Sequence, residues 1–191
     1  MSEGKNGVIL LLSTGFQLLE VMGPVDFLNK AGIPIKLVAV GVTGLEIEDG
    51  TGHFHKADIT LDQVNVDDYE GILVTGGIPS TQTIATNNKC VELIKEFNSK
   101  GKLVASICGS TGAILAEACQ ILKGKRAVGY PGTDTKITEN GGIKEENRVC
   151  TDGNIITSRG PATSLEWSIE IIRYLRGQET ADNVSTGTLM P

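Results

Sequence analysis

The sequence predicts an α/β protein built on a doubly wound, mostly parallel sheet with helices on both faces. Three observations carry that expectation. Short apolar runs rich in β-branched residues alternate with amphipathic stretches of helical period. The runs are apolar at consecutive positions, as in strands buried on both faces. The chain has 191 residues, 40% of them hydrophobic, which is enough to bury a core without disulfide or metal staples. No repeat, low-complexity tract or linker-like shift interrupts the alternation, so one domain over residues 1–191 is expected.

The elements follow in order. Val8–Leu12 reads as a buried strand. Residues 16–31 read as a helix with Leu18, Val21, Met22, Val25 and Leu28 on one face, stopped at Gly32. A second strand covers 35–40, and 53–61 is extended but weakly patterned. The strand at 71–75 runs into Gly76-Gly77. Asn88–Ser99 is a helix with Gly101 beyond its end, Leu103–Ile107 a strand, and 109–118 helical. Another short strand is expected at 126–129. Residues 148–151 and 154–157, separated by Asp152-Gly153, carry a hairpin signal. Pro161 opens a last helix through Arg176, since proline fits a first helical turn. Residues 180–191 are polar and give no element.

Charge and cysteine usage narrow the function. Lys and Arg number 17 against 23 Asp and Glu, a net charge of −6. With a pI near 5.0 and a mean hydropathy of +0.01, no basic face for nucleic acid or an anionic membrane is expected. The five apolar residues Val8–Leu12 are too few for a membrane span, which needs about 20. Glu3 beside Lys5, with no clean small-residue cleavage site, speaks against a signal peptide. Cys90, Cys108, Cys119 and Cys150 form no C-x-x-C pair, which suits reduced thiols in the cytoplasm. No metal or cofactor is expected. His53 and His55 are far in sequence from every cysteine, and neither G-x-G-x-x-G nor G-x-x-x-x-G-K-[ST] occurs.

In doubly wound folds, ligands bind beyond the carboxyl ends of the strands. Three turns meet that rule: Ser13-Thr14-Gly15, Thr75-Gly76-Gly77 and the turn at Cys108. Cys108 sits between a strand and a helical segment, with Ser106, Gly109 and Ser110 around it. That is the layout of a nucleophile elbow with cysteine in place of serine. A helix N-terminus beside the sulfur is expected to favour thiolate. Cys90, Cys119 and Cys150 read instead as small buried hydrophobes. Gly76-Gly77 lets backbone amides approach a ligand, so the Gly77 and Gly109 amides are candidate oxyanion donors. Glu20 lies off the core face of the first helix, near Phe16 and Phe27. Apolar company there would raise its pKa and suit it to general acid–base work. His53 and His55 alternate as in a half-exposed strand, and no histidine follows Cys108, which counts against a Cys–His–acid hydrolase or an amidotransferase-like site. Ser158 and Arg159, at another strand end, are candidate supporting residues, Arg159 with the following helix N-terminus as an anion holder.

Together these segments resemble the DJ-1/PfpI (ThiJ-like) superfamily, especially the branch that contains the parkinsonism-associated deglycase. The resemblance is carried by Glu20 with Gly23-Pro24-Val25-Asp26, Lys30-Ala31-Gly32, Gly76-Gly77 and Ala105-Ser106-Ile107-Cys108. Glu146-Asn147-Arg148-Val149 and residues 157–164 complete it. It implies a flavodoxin-like sandwich and a homodimer built partly through the first helix, with the Phe16/Phe27 side as a candidate contact. It implies that Cys108 is the reactive cysteine, Glu20 its protonated partner, and that the Gly77 and Gly109 amides face the sulfur. It implies a glutathione-independent glyoxalase or deglycase acting on reactive carbonyls such as methylglyoxal. The alternative it implies is an oxidative-stress sensor or chaperone whose Cys108 becomes sulfinate; a protease ranks lower. Two positions depart from the family pattern. Tyr130 stands before Pro131 where a histidine is usual, and a phenol is a poor base at neutral pH. Lys56 stands where some relatives carry a cysteine.

Overall fold

The computed structural model describes residues 7–190. The first half runs β1 (Val8–Leu12), α1 (Leu18–Lys30), β2 (Ile35–Ala39), β3 (Glu46–Glu48), β4 (Phe54–Lys56), β5 (Ile59–Thr60) and β6 (Gly71–Val74). The second runs α2 (Ile78–Thr86), α3 (Asn88–Ser99), β7 (Leu103–Ile107), a π-helix (Thr111–Ala118), β8 (Arg126–Ala127), α4 (Thr135–Glu139) and β9 (Ile143–Lys144). It closes with β10 (Val149–Asp152), β11 (Ile155–Ser158), α5 (Ser164–Arg176) and α6 (Gln178–Gly187).

Seven strands form the main sheet in the order β10-β11-β7-β6-β1-β2-β5. All neighbours are parallel except β10, which pairs antiparallel with β11. The inner five, β2-β1-β6-β7-β11, have the strand order of a flavodoxin-like sheet. Register aligns their carboxyl ends: Leu11 opposes Val74, Val74 opposes Ser106, and Ile107 opposes Ser158.

The consecutive apolar runs have a simple cause. Successive side chains of a strand point to opposite faces, and both faces here are covered. Val8, Leu10, Leu12, Leu73 and Ile107 pack under α1, α5 and α6. Ile9, Leu11, Ile72, Val74 and Val104 pack against α3 and the π-helix. Truncating any of these to alanine should cost about 2–5 kcal/mol. Phe16 and Phe27, expected on a dimer-facing side of the first helix, are buried in the chain's own core. They are therefore not a surface for a second copy.

Four other departures from the sequence reading have local causes. Residues 178–187 form α6, which packs on α5 through Ala181 and Val184; two apolar positions in a polar stretch were too weak a signal. α2 was missed, although Pro79 in its first turn is a helix-start signal. The extended stretch 53–61 divides into β4, which pairs with β3, and β5, which joins the main sheet. The hairpin turn is Gly153-Asn154 rather than Asp152-Gly153, because Asp152 still pairs with Ile155.

Candidate active site

β1 lies between β2 and β6, so the strand order reverses there and a crevice opens above the carboxyl ends. Cys108 stands beside it at the end of β7. Its φ is 69°, a left-handed conformation that costs a non-glycine residue about 1–2 kcal/mol. The neighbours hold it there. The Cys108 amide donates to Ser158 O at 3.0 Å, and its carbonyl accepts from the Tyr130 amide at 3.2 Å. Ser110 Oγ closes the turn by donating to Ile107 O and Val74 O, at 2.7 and 3.1 Å. The expected elbow is present, strain included.

Glu20 reaches the same point from the first turn of α1, whose start is fixed by Gln17 Oε1 accepting the Glu20 amide. Its side chain is fully buried. Oε2 accepts the Gly76 amide at 2.6 Å, and the carboxyl lies in hydrogen-bond contact with the Cys108 thiol. Oε1 has no partner among the described residues. Burial pushes the Glu20 pKa up from its ordinary 4.5 to about 7, against the opposing pull of the Gly76 amide and the Cys108 contact. The direction expected from apolar company is the one found.

Cys108 departs from expectation. Burial, and then the Glu20 carboxyl beside it, push its thiol up to about 12, and the Gly109 amide bonded to the sulfur opposes them without winning. Helical backbone begins at Gly109, directly after Cys108, and the Gly109 amide is the helix-terminal group bonded to the sulfur. Burial and the neighbouring carboxyl thus favour the thiol, against the thiolate anticipated from the sequence.

Both glycines of the Gly76-Gly77 turn are dictated by close approach. A Cβ on Gly76 would sit 2.8 Å from Cys108 Cβ, 2.8 Å from Glu20 Oε2 and 2.9 Å from Cys108 Sγ. Gly77 has φ 97°, and a Cβ there would meet Gly15 O at 2.2 Å.

Above Cys108 lies a chamber of about 530 Å³ whose walls include Gly77, Gly109, Gln17, Thr81, Tyr130 and Lys136. Gly77 and Gly109 both line the chamber, while the Gly76 amide is committed to Glu20. Tyr130 is half exposed, and its ring lies over Gly160, where a Cβ would come within 3.2 Å of it. Ser158 is buried and structural: its Oγ donates to Arg148 O at 3.1 Å and shares a hydrogen bond with Thr163 Oγ1. Arg159 lies outside the chamber, in the wall of an adjoining cleft. The amides at that helix start are turned inward, Gly160 N to Thr163 Oγ1 and Thr163 N to Gly160 O, so they hold no external anion.

His53 and His55 are not brought to Cys108. His55 Nε2 pairs with Asp49 Oδ2 at 2.8 Å on the β3–β4 hairpin. Cys90, Cys119 and Cys150 are buried in the core, as expected. Among the described residues no cluster of three or more His, Cys, Asp or Glu is placed to hold a metal ion. Nor is any described helix long and apolar enough to cross a membrane. Thr81 was missed along with α2. It lines the chamber, and its buried hydroxyl has no partner among the described residues.

Comparison with known proteins gives a consistent picture. Residues 6–174 match the model of the DJ-1/PfpI family. The chain is 32% identical over 188 residues to Protein DJ-1 homolog B of Arabidopsis thaliana, which covers 98% of this chain and 42% of that protein. It spans less than half the length of the two Arabidopsis relatives it matches. A Pyrococcus abyssi protein named a deglycase is 29% identical over 169 residues, covering 88% of this chain and 99% of that one. The crystal structure of Drosophila melanogaster DJ-1beta matches with a TM-score of 0.91 at 25% identity, covering 98% of this chain and 100% of that one.

Proposed function

This chain belongs to the DJ-1/PfpI family, and on that premise we propose that it is a cysteine-dependent, glutathione-independent glyoxalase or deglycase-type enzyme. Its substrates are 2-oxoaldehydes such as methylglyoxal. The observation that carries the reading is the contact of Glu20 and Cys108 at a strained strand-to-helix turn, with the Gly76 amide fixing the carboxylate at 2.6 Å. A deglycase name among the relatives supports the same class of chemistry.

The mechanism starts from a resting thiol. Near pH 7 a carboxyl with a pKa of about 7 is roughly half ionised, the best compromise for a general base at that pH. Glu20 takes the Sγ proton as the sulfur adds to the aldehyde carbon and hands it to the aldehyde oxygen, which gives a hemithioacetal and leaves Glu20 ionised again. Ionising the thiol only as the new bond forms avoids the cost of a free thiolate beside a carboxylate. The Gly109 amide, with Gly77 on the same wall, stabilises the oxygen that gains charge. Glu20 then removes the C1 proton and returns it to C2, and the hydroxyl proton of C1 passes to the C2 oxygen. A 2-hydroxy thioester results. Water cleaves it to a 2-hydroxy acid and the thiol, so the net reaction is addition of one water to the 2-oxoaldehyde.

The test is lactate formation from methylglyoxal without glutathione, by wild type beside Cys108→Ser. Turnover that vanishes in the variant is expected; a folded Cys108→Ser protein with unchanged turnover would overturn the reading. A redox role shares these residues. It is favoured by one observation: Cys108 is partly exposed, whereas the other three thiols are buried.

A further inference from the structure

We propose that the Cys108 chamber continues into a cleft that selects carbonyl substrates bearing an anionic tail, with Arg159 as the residue that binds the tail. The inference deepens the proposed function and rests on Cys108 as its nucleophile.

A second cleft, of about 320 Å³, adjoins the chamber. The two share Tyr130, Pro131 and Pro161, so they form one continuous groove. Its walls carry Lys136, Arg148 and Arg159, and among the described residues no carboxylate. Glu20 lies buried beneath Cys108 rather than on the wall. Each of the three cations is paired with a carboxylate set back from the wall: Glu117, Glu166 and Glu146 respectively.

The three cations are not equally available. Lys136 is paired with Glu117. Arg148 spends Nε on both oxygens of Glu166, at 2.9 and 2.8 Å, and Nη2 on Ala162 O at 3.0 Å. Arg159 differs. Its one ion-pair partner among the described residues is Glu146 at 3.6 Å, beyond hydrogen-bond length. That carboxylate is 74% exposed and is shared with Lys144 at 3.3 Å. An incoming carboxylate displaces such a partner at little cost and gains the two-pronged geometry that guanidinium offers.

Position supports the same assignment. Ser158 opposes Ile107 and its carbonyl accepts the Cys108 amide, so Arg159 leaves β11 level with Cys108. Strand spacing and one peptide step then place its α-carbon on the order of 5–9 Å from that of Cys108. A tail of two or three carbons beyond the reacting carbonyls spans such a gap. The favoured substrate class is therefore a 2-oxoaldehyde ending in a carboxylate, converted to the corresponding 2-hydroxy diacid by addition of one water.

The first test does not need turnover. Cys108 is alkylated with iodoacetate and with iodoacetamide, and the rate ratio of the anionic to the neutral reagent is compared in wild type, Arg159→Gln and Arg159→Lys. The ratio should fall about five-fold in Arg159→Gln, be largely kept in Arg159→Lys, and fall in wild type as salt is added. Equal ratios in wild type and Arg159→Gln would overturn the inference, whether or not any 2-oxoaldehyde is consumed. The second test compares kcat/KM for 4,5-dioxovalerate with that for uncharged 2-oxopentanal. The preference for the acid should drop about ten-fold in Arg159→Gln, mainly through KM. No preference in wild type would overturn the inference and leave the glyoxalase reading intact. A ratio that falls in Arg159→Gln, with no turnover of either compound, would support the anion site and remove the glyoxalase reading.

Discussion

Replacing Glu20 by glutamine should turn a stability that depends on pH into one that, at this position, does not. In the folded chain the Glu20 carboxyl has a pKa of about 7 instead of 4.5. The folded state therefore binds this proton more tightly than the unfolded state. Its stabilising contribution is complete below pH 4.5 and is lost as pH rises through 7, by about 3 kcal/mol in all. Glutamine keeps the shape and the acceptor for the Gly76 amide but cannot ionise. It also places an amide N–H₂ at the oxygen that has no partner, at a cost of about 1–3 kcal/mol. Near pH 5 the wild type should thus be the more stable protein, and the difference should shrink or reverse by pH 8. About 2.5 kcal/mol of this falls between pH 5 and pH 8, so with a urea m-value of about 2 kcal/mol/M the difference in midpoints should move by about 1.2 M over that range. Carboxylates with lowered pKa, such as Asp134 and Asp152, titrate alike in both proteins, so the difference curve isolates Glu20. The assay is urea unfolding of both proteins at half-unit steps from pH 5 to pH 8. A flat difference curve would refute the buried, proton-holding Glu20 on which the mechanism depends.

Other outcomes follow from the same geometry. Gly76→Ala drives a methyl between Cys108 and Glu20, and methylglyoxal turnover should fall by about 100-fold or more in a steady-state assay. Gly77→Ala adds a clash with Gly15 O to an unfavourable φ and should cost at least about 3 kcal/mol by urea unfolding; a loss below about 1 kcal/mol would contradict the close approach. Mild peroxide should oxidise Cys108 before Cys90, Cys119 or Cys150, read by peptide mass spectrometry, because the other three are buried. Oxidation of one of those three first would argue against Cys108 as the sensing thiol.

The sequence by itself determined the layer architecture. Runs such as Val8–Leu12 and Leu103–Ile107 are apolar at every position, and only a sheet covered on both faces buries both sets of side chains. It also singled out Cys108, because small residues around a cysteine between strand and helix are a local pattern. α6 was hidden in it, since that helix is held by two apolar positions docked on α5 rather than by a strong period of its own. Tertiary structure alone decided the chemistry of the site. The Glu20–Gly76 bond joins residues 56 positions apart, and no spacing rule encodes it. Whether Cys108 rests as thiol or thiolate depends on burial and on the carboxyl packed against it, and both outweigh the local helix-terminal effect that sequence suggests. The groove that carries Arg159 has the same origin. Lys136, Arg148 and Arg159 come from separate segments and meet along one groove because β7, β11 and the turn at Tyr130 end on the same edge of the sheet. Local pattern specifies elements, whereas the electrostatics of a site is a sum over neighbours that only folding assembles.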